Sequence, residues 1–535
     1  MHKTLLFSLL ALVFLTTSGA RGQADRSPLF GKDILLHDIP DRDQRHVAVC
    51  SAFNGWLYAV YEYHQGIYPY ITFLRSKDHG ITWEVLIDVP GLQPNTALLG
   101  RDIIACGNSL ETLRIFLAET FMDTTSYPSH IGGIFVGRYK GEPFNPEQVL
   151  LLNGIGWYKD VELVSDQDCP ADTSDPFHLA VFYSSAGPRD TVVMYSSSNG
   201  GMSLDSRKVV AITSKRIEKI SAAYGRSASR PGGCYFVGWE EKEAMNDPTG
   251  HVYTAHSTNG LNSTFSTKVC IDSLDPAFIS NLRNPLISAQ ATLIDNDSSD
   301  LTTVLLFENY SQGTDSWNIR GFYNKRGTVS DHFNPVVVAN PAGNKIQPDM
   351  CFNPFDSTFM VTYFDETGKK LPFLTNSFNL TDPTVWNIIS TSYNDSSNIS
   401  DPNPRVGLDF SEQDGFCYWV GERETGNGMA LFDAASSTYT GIPGPGENTK
   451  IICYKCFPNP SDTYIVIPFE LTASSQVTIR IYSLTGQDCR TVTDQIYPEG
   501  THWVRTGVSF LPPGAYFCQI SAGSSTISQK IVVDH

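Results

Sequence analysis

The sequence predicts an all-β chain, a β-propeller built from units of about sixty residues and followed by a small Ig-like β-sandwich. Three observations predict it. Apolar runs that end in an acid recur along most of the chain: WLYAVYE closes at Glu62, LRIFLAE at Glu119, CYFVGWE at Glu240, TTVLLFE at Glu308, TFMVTYFD at Asp365 and FCYWVGE at Glu422. The run FHLAVFYSS at 177–185 fills the remaining slot without an acid, which makes seven units. Each run is flanked on both sides by a short strand-like stretch, usually with a fourth and with polar turns between, and no stretch carries the periodicity of an amphipathic helix.

Taken in order, the chain opens as a secretory signal over residues 1–24. His2 and Lys3 are a short basic start, LLFSLLALVFL is the apolar run, and Ser18 and Ala20 precede one cut, with a second after Ala24. The run is too short for a spanning helix, which needs roughly 20 apolar residues, and no later segment is long and apolar enough to cross. The strand KDILLHDI at 32–39 is expected to be the outer strand that closes the ring with the last unit. The propeller is expected over 25–440, with units starting near 45, 101, 159, 218, 284, 346 and 404. That reading gives seven four-stranded blades, with six as the alternative. Strands apolar on both faces suit sheets that stack on one another. GIPGPGENTK opens a Gly/Pro-rich linker, 441–454, and the character of the chain changes at 455–535.

Composition narrows the function classes. The 535 residues are 41% hydrophobic and carry a net charge of −18, which argues against binding nucleic acid or an anionic membrane surface by bulk electrostatics. Eleven cysteines cannot all pair within one chain. Cys50, Cys106, Cys234, Cys351 and Cys417 lie in apolar strand-like runs and read as small buried hydrophobes. Cys453 and Cys456 form a lone CxxC with no second pair at zinc-like spacing, so a disulfide or no role at all is expected there. A Cys489–Cys518 bond is left open by the sequence.

The stretch RSKDHGITWEVL, residues 75–86, places Ser76, Asp78, Gly80, Thr82 and Trp83 at the spacing S-x-D-x-G-x-T-W. Ser197, Asn199 and Gly201 repeat it in degenerate form, and STNGLNSTF at 257–265 repeats it more weakly. The motif resembles the Asp-box of sialidases and related BNR-repeat propellers. Its chemistry is that of a turn: short polar side chains bond nearby backbone, the glycine supplies a permissive conformation, and the tryptophan buries.

The C-terminal stretch resembles the type A sorting domain of the type IX secretion system of Bacteroidota. The matching features are PNP at Pro458, Asn459 and Pro460, VTIRIYSLTGQ with Gly486, LPPGAYFCQI with Gly514, and the final QKIVV with Lys530. The resemblance implies recognition by the secretion machinery at the outer membrane of a diderm bacterium, usually with cleavage and with release or attachment to surface lipopolysaccharide. The residues themselves read as a seven-stranded sandwich.

Two rings of charge recur at the repeat spacing. The starts of the first strands carry Arg45, Arg101, Lys159, Arg216, Arg283 and Arg405, and the ends of the second strands carry Glu62, Glu119, Glu240, Glu308, Asp365 and Glu422. Both fall on one face of a propeller. One reading is a pocket over the channel in which arginines clamp a ligand carboxylate; the other is that the two rings pair with each other between blades. Tyr68, Tyr70, Trp157, Tyr158 and Trp317 are candidates to stack on sugars. Sialidases combine an arginine clamp with a Tyr–Glu nucleophile and an aspartic acid/base, but RHVAVC stands where their first-blade FRIP would be, and no catalytic residue carries across. The histidines show no metal-ligand spacing, and no cofactor or metal is expected. The sequence therefore points to an exported, type IX-sorted surface protein whose propeller binds a glycan or protein ligand without catalysis, with a sialidase-like exo-glycosidase and a purely structural protein as alternatives.

Overall fold

The computed structural model describes residues 34–37, 44–78, 80, 82–91, 94–126, 132–166, 177–227, 230–244, 247–257, 260, 264–274, 281–290, 301–325, 334–339, 343–353, 358–376, 386–390, 403–409, 414–422, 428–432, 451–453, 456–457, 459–461, 463–471, 475–483, 487–497, 500–522 and 525–534. The signal segment, most of the linker, Pro458, Gly486 and most of the weak repeat at 257–265 lie outside them.

The described residues are almost entirely antiparallel sheet, with two single-turn 3-10 helices, Thr124–Ser126 and Ile271–Ser273. The β-propeller predicted from the repeat is the architecture observed. Five of its sheets have four strands each; the sixth, of seven strands, consists of the second and third units joined because the strand Phe144–Ser165 is outermost in one and innermost in the next. The inner strands are Gln44–Ser51, Thr96–Cys106, Phe144–Ser165, Arg216–Ser227, Leu282–Ala289, Lys345–Asn353 and Asn403–Asp409. Each lies beside the next, and the last lies beside the first. Ring closure takes the form expected of KDILLHDI: Ile34 pairs with Phe432 and Leu35 with Leu431, on the outer edge of the last sheet.

The core lies between neighbouring sheets, which explains why the strands are apolar on both faces. Phe116, Ile134 and Val136 of the second unit pack with Val161, Leu179 and Val181 of the third. Val192 and Met194 of the third pack with Tyr235 and Trp239 of the fourth. Leu36 meets Leu57, Tyr61 and Leu74 of the first unit, beside the closure.

The turn at Ser76–Trp83 is held as its residue types require. Ser76 Oγ donates to Asp78 Oδ1 at 2.9 Å and accepts from the Gly80 N–H at 2.8 Å, while Asp78 accepts from the Thr82 N–H at 2.8 Å and the Thr82 hydroxyl at 2.6 Å. Trp83 Nε1 donates to the Gly80 carbonyl at 3.0 Å, and Gly80 has φ 84°. The degenerate copy keeps the same frame: Gly201 N–H donates to Ser197 Oγ at 3.0 Å, and the Ser203 N–H to Asn199 at 3.1 Å.

The C-terminal sandwich joins a three-stranded sheet to a four-stranded one around Ile467, Phe469, Ile479, Ile481, Cys518 and Ile531. Asn459 ties its start to its last strand, donating from Nδ2 to the Lys530 carbonyl at 3.0 Å and accepting the Val532 N–H at 2.6 Å. Gly514 opens the strand that pairs with that last strand, opposite Val533. Cys489 and Cys518 are not bonded: Cys518 is a buried core thiol and Cys489 a half-buried one. Cys50, Cys106 and Cys234 are buried thiols and Cys351 is half-buried, whereas the Cys417 and Cys453 side chains lie outside the described residues.

Candidate functional site

The two predicted charge rings meet each other. Arg45 and Glu62 are cross-strand partners, as are Arg101 and Glu119, and Arg283 and Glu308. Arg101 is spent on this role. Its Nε donates to Glu119 Oε1 at 2.7 Å, its Nη1 to the His46 carbonyl at 2.7 Å, and its Nη2 lies 3.7 Å from Glu62 of the preceding unit. Lys159 donates to Glu218 at 3.0 Å and sits over the Trp157 ring, and Arg283 donates to Glu308 at 2.7 Å while stacking 3.7 Å over Trp317. Arg45 is exposed on its strand.

The unit whose apolar run lacks an acid gets one from the following strand. Asp190, 1% exposed, accepts from Arg216 at 2.9 Å and from the Ile217 N–H at 3.0 Å, with Lys159 4.0 Å away. Lys345 fills the cation slot that the sequence left empty in the sixth unit, 3.1 Å from Asp365. Glu240 takes Lys242 at 3.2 Å and the Asn284 N–H at 3.2 Å, and burial raises its carboxyl above the ordinary range. The Glu422 side chain lies outside the described residues; its backbone pairs with Gly428. Of the aromatic candidates, Tyr68 is exposed, Tyr70 stacks on Tyr63, and Tyr158 is not a surface residue at all but part of the core between the second and third units.

All seven inner strands wall one central channel, a cavity of about 530 Å³. Its charged lining residues are Asp102, Asp160, Glu162, Lys219, Asp349 and Arg405. They stand early in each strand's share of the wall, and apolar residues follow: Asp102 precedes Ala105, Lys219 precedes Tyr224 and Asp349 precedes Phe352. The channel is therefore charged at one end and uncharged at the other. Of these six, only Arg405 belongs to the predicted ring.

The carboxylates also join adjacent strands. Asp102 accepts the Leu163 N–H at 2.7 Å, Asp160 the Ile220 N–H at 3.0 Å and Asp349 the Val406 N–H at 2.8 Å. Lys219 lies 3.5 Å from Asp160, and Arg405 3.6 Å from Asp349. Burial lifts Asp102 to about 6 against the pull of its N–H bonds and Arg405, and it lifts Asp349 as well. Sequence reasoning missed Asp102 and Asp160 because each directly follows a basic ring residue. Side chains alternate along a strand, so the ring residue turns to the joint between sheets and its neighbour to the channel.

Residues 455–534 match the secretion system C-terminal sorting domain family. The chain thus carries a type IX sorting signal and is directed to the cell surface or extracellular space. No helix among the described residues is long and apolar enough to cross a membrane. No curated protein matches the sequence. Among solved structures, the chain is similar to an α-L-arabinofuranosidase of Fusarium graminearum with an iminosugar inhibitor, at 14% identity and TM-score 0.42, over 76% of this chain and 97% of that one. It is similar to an α-L-arabinanase of Penicillium chrysogenum complexed with arabinobiose, at 13% identity and TM-score 0.42, over 76% and 99%. It is also similar to the NanB sialidase of Streptococcus pneumoniae, at 10% identity and TM-score 0.40, over 63% and 68%. Similarity at this level carries no conclusion about what this chain binds.

Proposed function

We propose that this is an exported surface protein of a diderm bacterium whose seven-bladed propeller binds glycans, without catalysis, at the polar mouth of its central channel. The observation that carries this reading is the channel: a concave cavity of about 530 Å³, within the size range of small-ligand sites, with convergent charged groups at one end only. Those groups offer acceptors and donors for a hydroxyl-rich ligand, and Ala105, Ala289 and Phe352 in the uncharged depth suit one ring face. Arg101 is engaged by Glu62 and Glu119, so recognition rests on the channel lining rather than on an arginine clamp. The sorting domain delivers the propeller to the compartment where extracellular glycans are met.

The test is a glycan array probed with the full chain, followed by titration of each hit and an assay for released sugar. Binding without sugar release is expected, and its affinity should change in Arg405→Ala, a half-exposed mouth residue, with thermal unfolding of the variant recorded alongside. Binding indifferent to Arg405→Ala, or no glycan bound, sinks the site. Steady sugar release would replace a binding protein by a glycosidase.

A further inference from the structure

The charges of the channel do not balance. Four carboxylates line it against two cations, Lys219 and Arg405. Three of the four are provided for. Asp160 has the Ile220 N–H and Lys219, Asp349 has the Val406 N–H and Arg405, and Asp102 has the N–H groups of Leu163 and Ile103, the latter at 2.8 Å. Glu162, which lines the same space from the third inner strand, receives no hydrogen bond and no ion pair from any described residue.

A carboxyl group confined beside other carboxylates either finds a cation or keeps its proton. Burial, then the negative charges of Asp102 and Asp160, hold the Glu162 carboxyl well above the ordinary range against the pull of Arg405 and Lys219. Asp349 faces it from the sixth inner strand. The first and fifth inner strands bring no charged group to the lining, and the remaining ionisable lining groups, the Cys50 and Cys351 thiols and the Tyr224 phenol, lie further along the channel. The missing partner is a donor. We propose that the channel mouth takes a cationic, donor-rich group, such as the ammonium of an amino sugar, with Glu162 as its counter-ion.

This assignment rests on the channel being the glycan site and names the class of glycan. It also fixes the direction of a linkage. A cation seated beside Glu162 favours the ionised carboxylate, so binding expels a proton and affinity rises with pH until Glu162 is ionised in the free protein. An anionic sugar would show the opposite trend.

The experiment is calorimetric titration of the full chain with a glucosamine oligosaccharide, its N-acetylated counterpart and sialyllactose. It runs between about pH 5.5 and 7.5, in buffers of differing ionisation heat. The expected result is binding of the glucosamine oligosaccharide at least about tenfold tighter than its N-acetylated counterpart, with protons released to the buffer. Glu162→Gln, which keeps shape and loses charge, is expected to lose about tenfold and to abolish the proton release. Lys219→Met, which removes a competing cation, is expected to gain affinity by roughly several-fold, an effect that a damaged fold would not produce. Tighter binding of sialyllactose or the N-acetylated sugar, or full affinity in Glu162→Gln, overturns the cationic assignment and leaves the glycan site standing. No binding of any of the three overturns both.

Discussion

Replacing Arg101 by alanine separates the two readings of the charge rings. The Arg101 side chain is 3% exposed and its carboxylate neighbours Glu119 and Glu62 are 6% and 8% exposed. Removing one partner of a buried pair costs about 3–5 kcal/mol, because a charge is left uncompensated. Arg101 serves two carboxylates and the His46 carbonyl, which places Arg101→Ala toward the upper part of that range. Arg45→Ala, at the equivalent but exposed position of the first unit, is expected to cost under about 1 kcal/mol. Urea unfolding followed by tryptophan fluorescence measures both. The pH dependence adds an internal check. Burial raises the Glu62 carboxyl, but the His46 hydrogen bond and Arg101 outweigh it and leave the group below its ordinary range. A depressed carboxylate contributes stability that is present above its unfolded value and lost as pH falls through the folded one. Without Arg101 that contribution shrinks, so the gap between variant and parent is widest near neutrality and narrows in acid. If Arg101→Ala costs no more than Arg45→Ala, or the gap ignores pH, the arginine is not a structural cation and the ring returns as a ligand clamp.

Three further outcomes are expected. Gly201→Ala should cost about 2–5 kcal/mol, from a left-handed backbone and overpacking together: φ is +68°, and the new Cβ would sit 2.4 Å from the buried Phe116 ring. By contrast, Gly66→Ala, at φ +66° with nothing within 4 Å, should pay the backbone cost alone in the same denaturation assay. Asn459→Ala removes two hydrogen bonds to the last strand and should weaken the sorting domain by about 1–3 kcal/mol, read as faster hydrogen exchange at the Val532 amide; unchanged exchange would show that Asn459 does not hold that strand. Asp102, at about 6 when folded, keeps its proton more tightly than the unfolded chain, so its contribution to stability falls as pH climbs from about 4 to about 6. Asp102→Asn should flatten that part of the urea-midpoint profile, and an unaltered slope would refute it.

The architecture was legible because it is repeated. Apolar runs recur, and the Ser76–Trp83 turn marks the same point in more than one unit, so no single residue had to be decisive. Even the closure by Ile34 and Leu35 could be read, since a lone strand ahead of the first unit has one vacant edge to fill. What could not be read was which side of a strand a charge occupies. Arg101 and Asp102 are adjacent, yet one lies in a joint between sheets and the other lines the channel. The inner strands carry β-bulges, for example between Arg45 and Ala48, Ile217 and Ile220, and Arg283 and Leu286, and each bulge shifts the alternation that a sequence count assumes. Tyr158 was misplaced for the same reason, and Asp190 was missed because its acid comes from the next strand rather than the end of the run.

The bulges also account for several of the buried acids. A bulge leaves an inner-strand N–H without a ladder partner, and a buried N–H must be paired. The Ile217 N–H goes to Asp190, the Ile220 N–H to Asp160, the Asn284 N–H to Glu240 and the Gln347 N–H to Glu308, in each case a carboxylate of the preceding unit. At these joints the acid answers a backbone irregularity, and a basic residue sits beside each of the four. Charge that follows the repeat is accounted for by the joints between sheets. Charge that departs from it is not: in the parallel stretches RDIIAC and KDVELV, Glu162 stands where the second unit has Ile104. A carboxylate that lines the channel with no described residue to pair it is where a search for ligand recognition in this fold should begin.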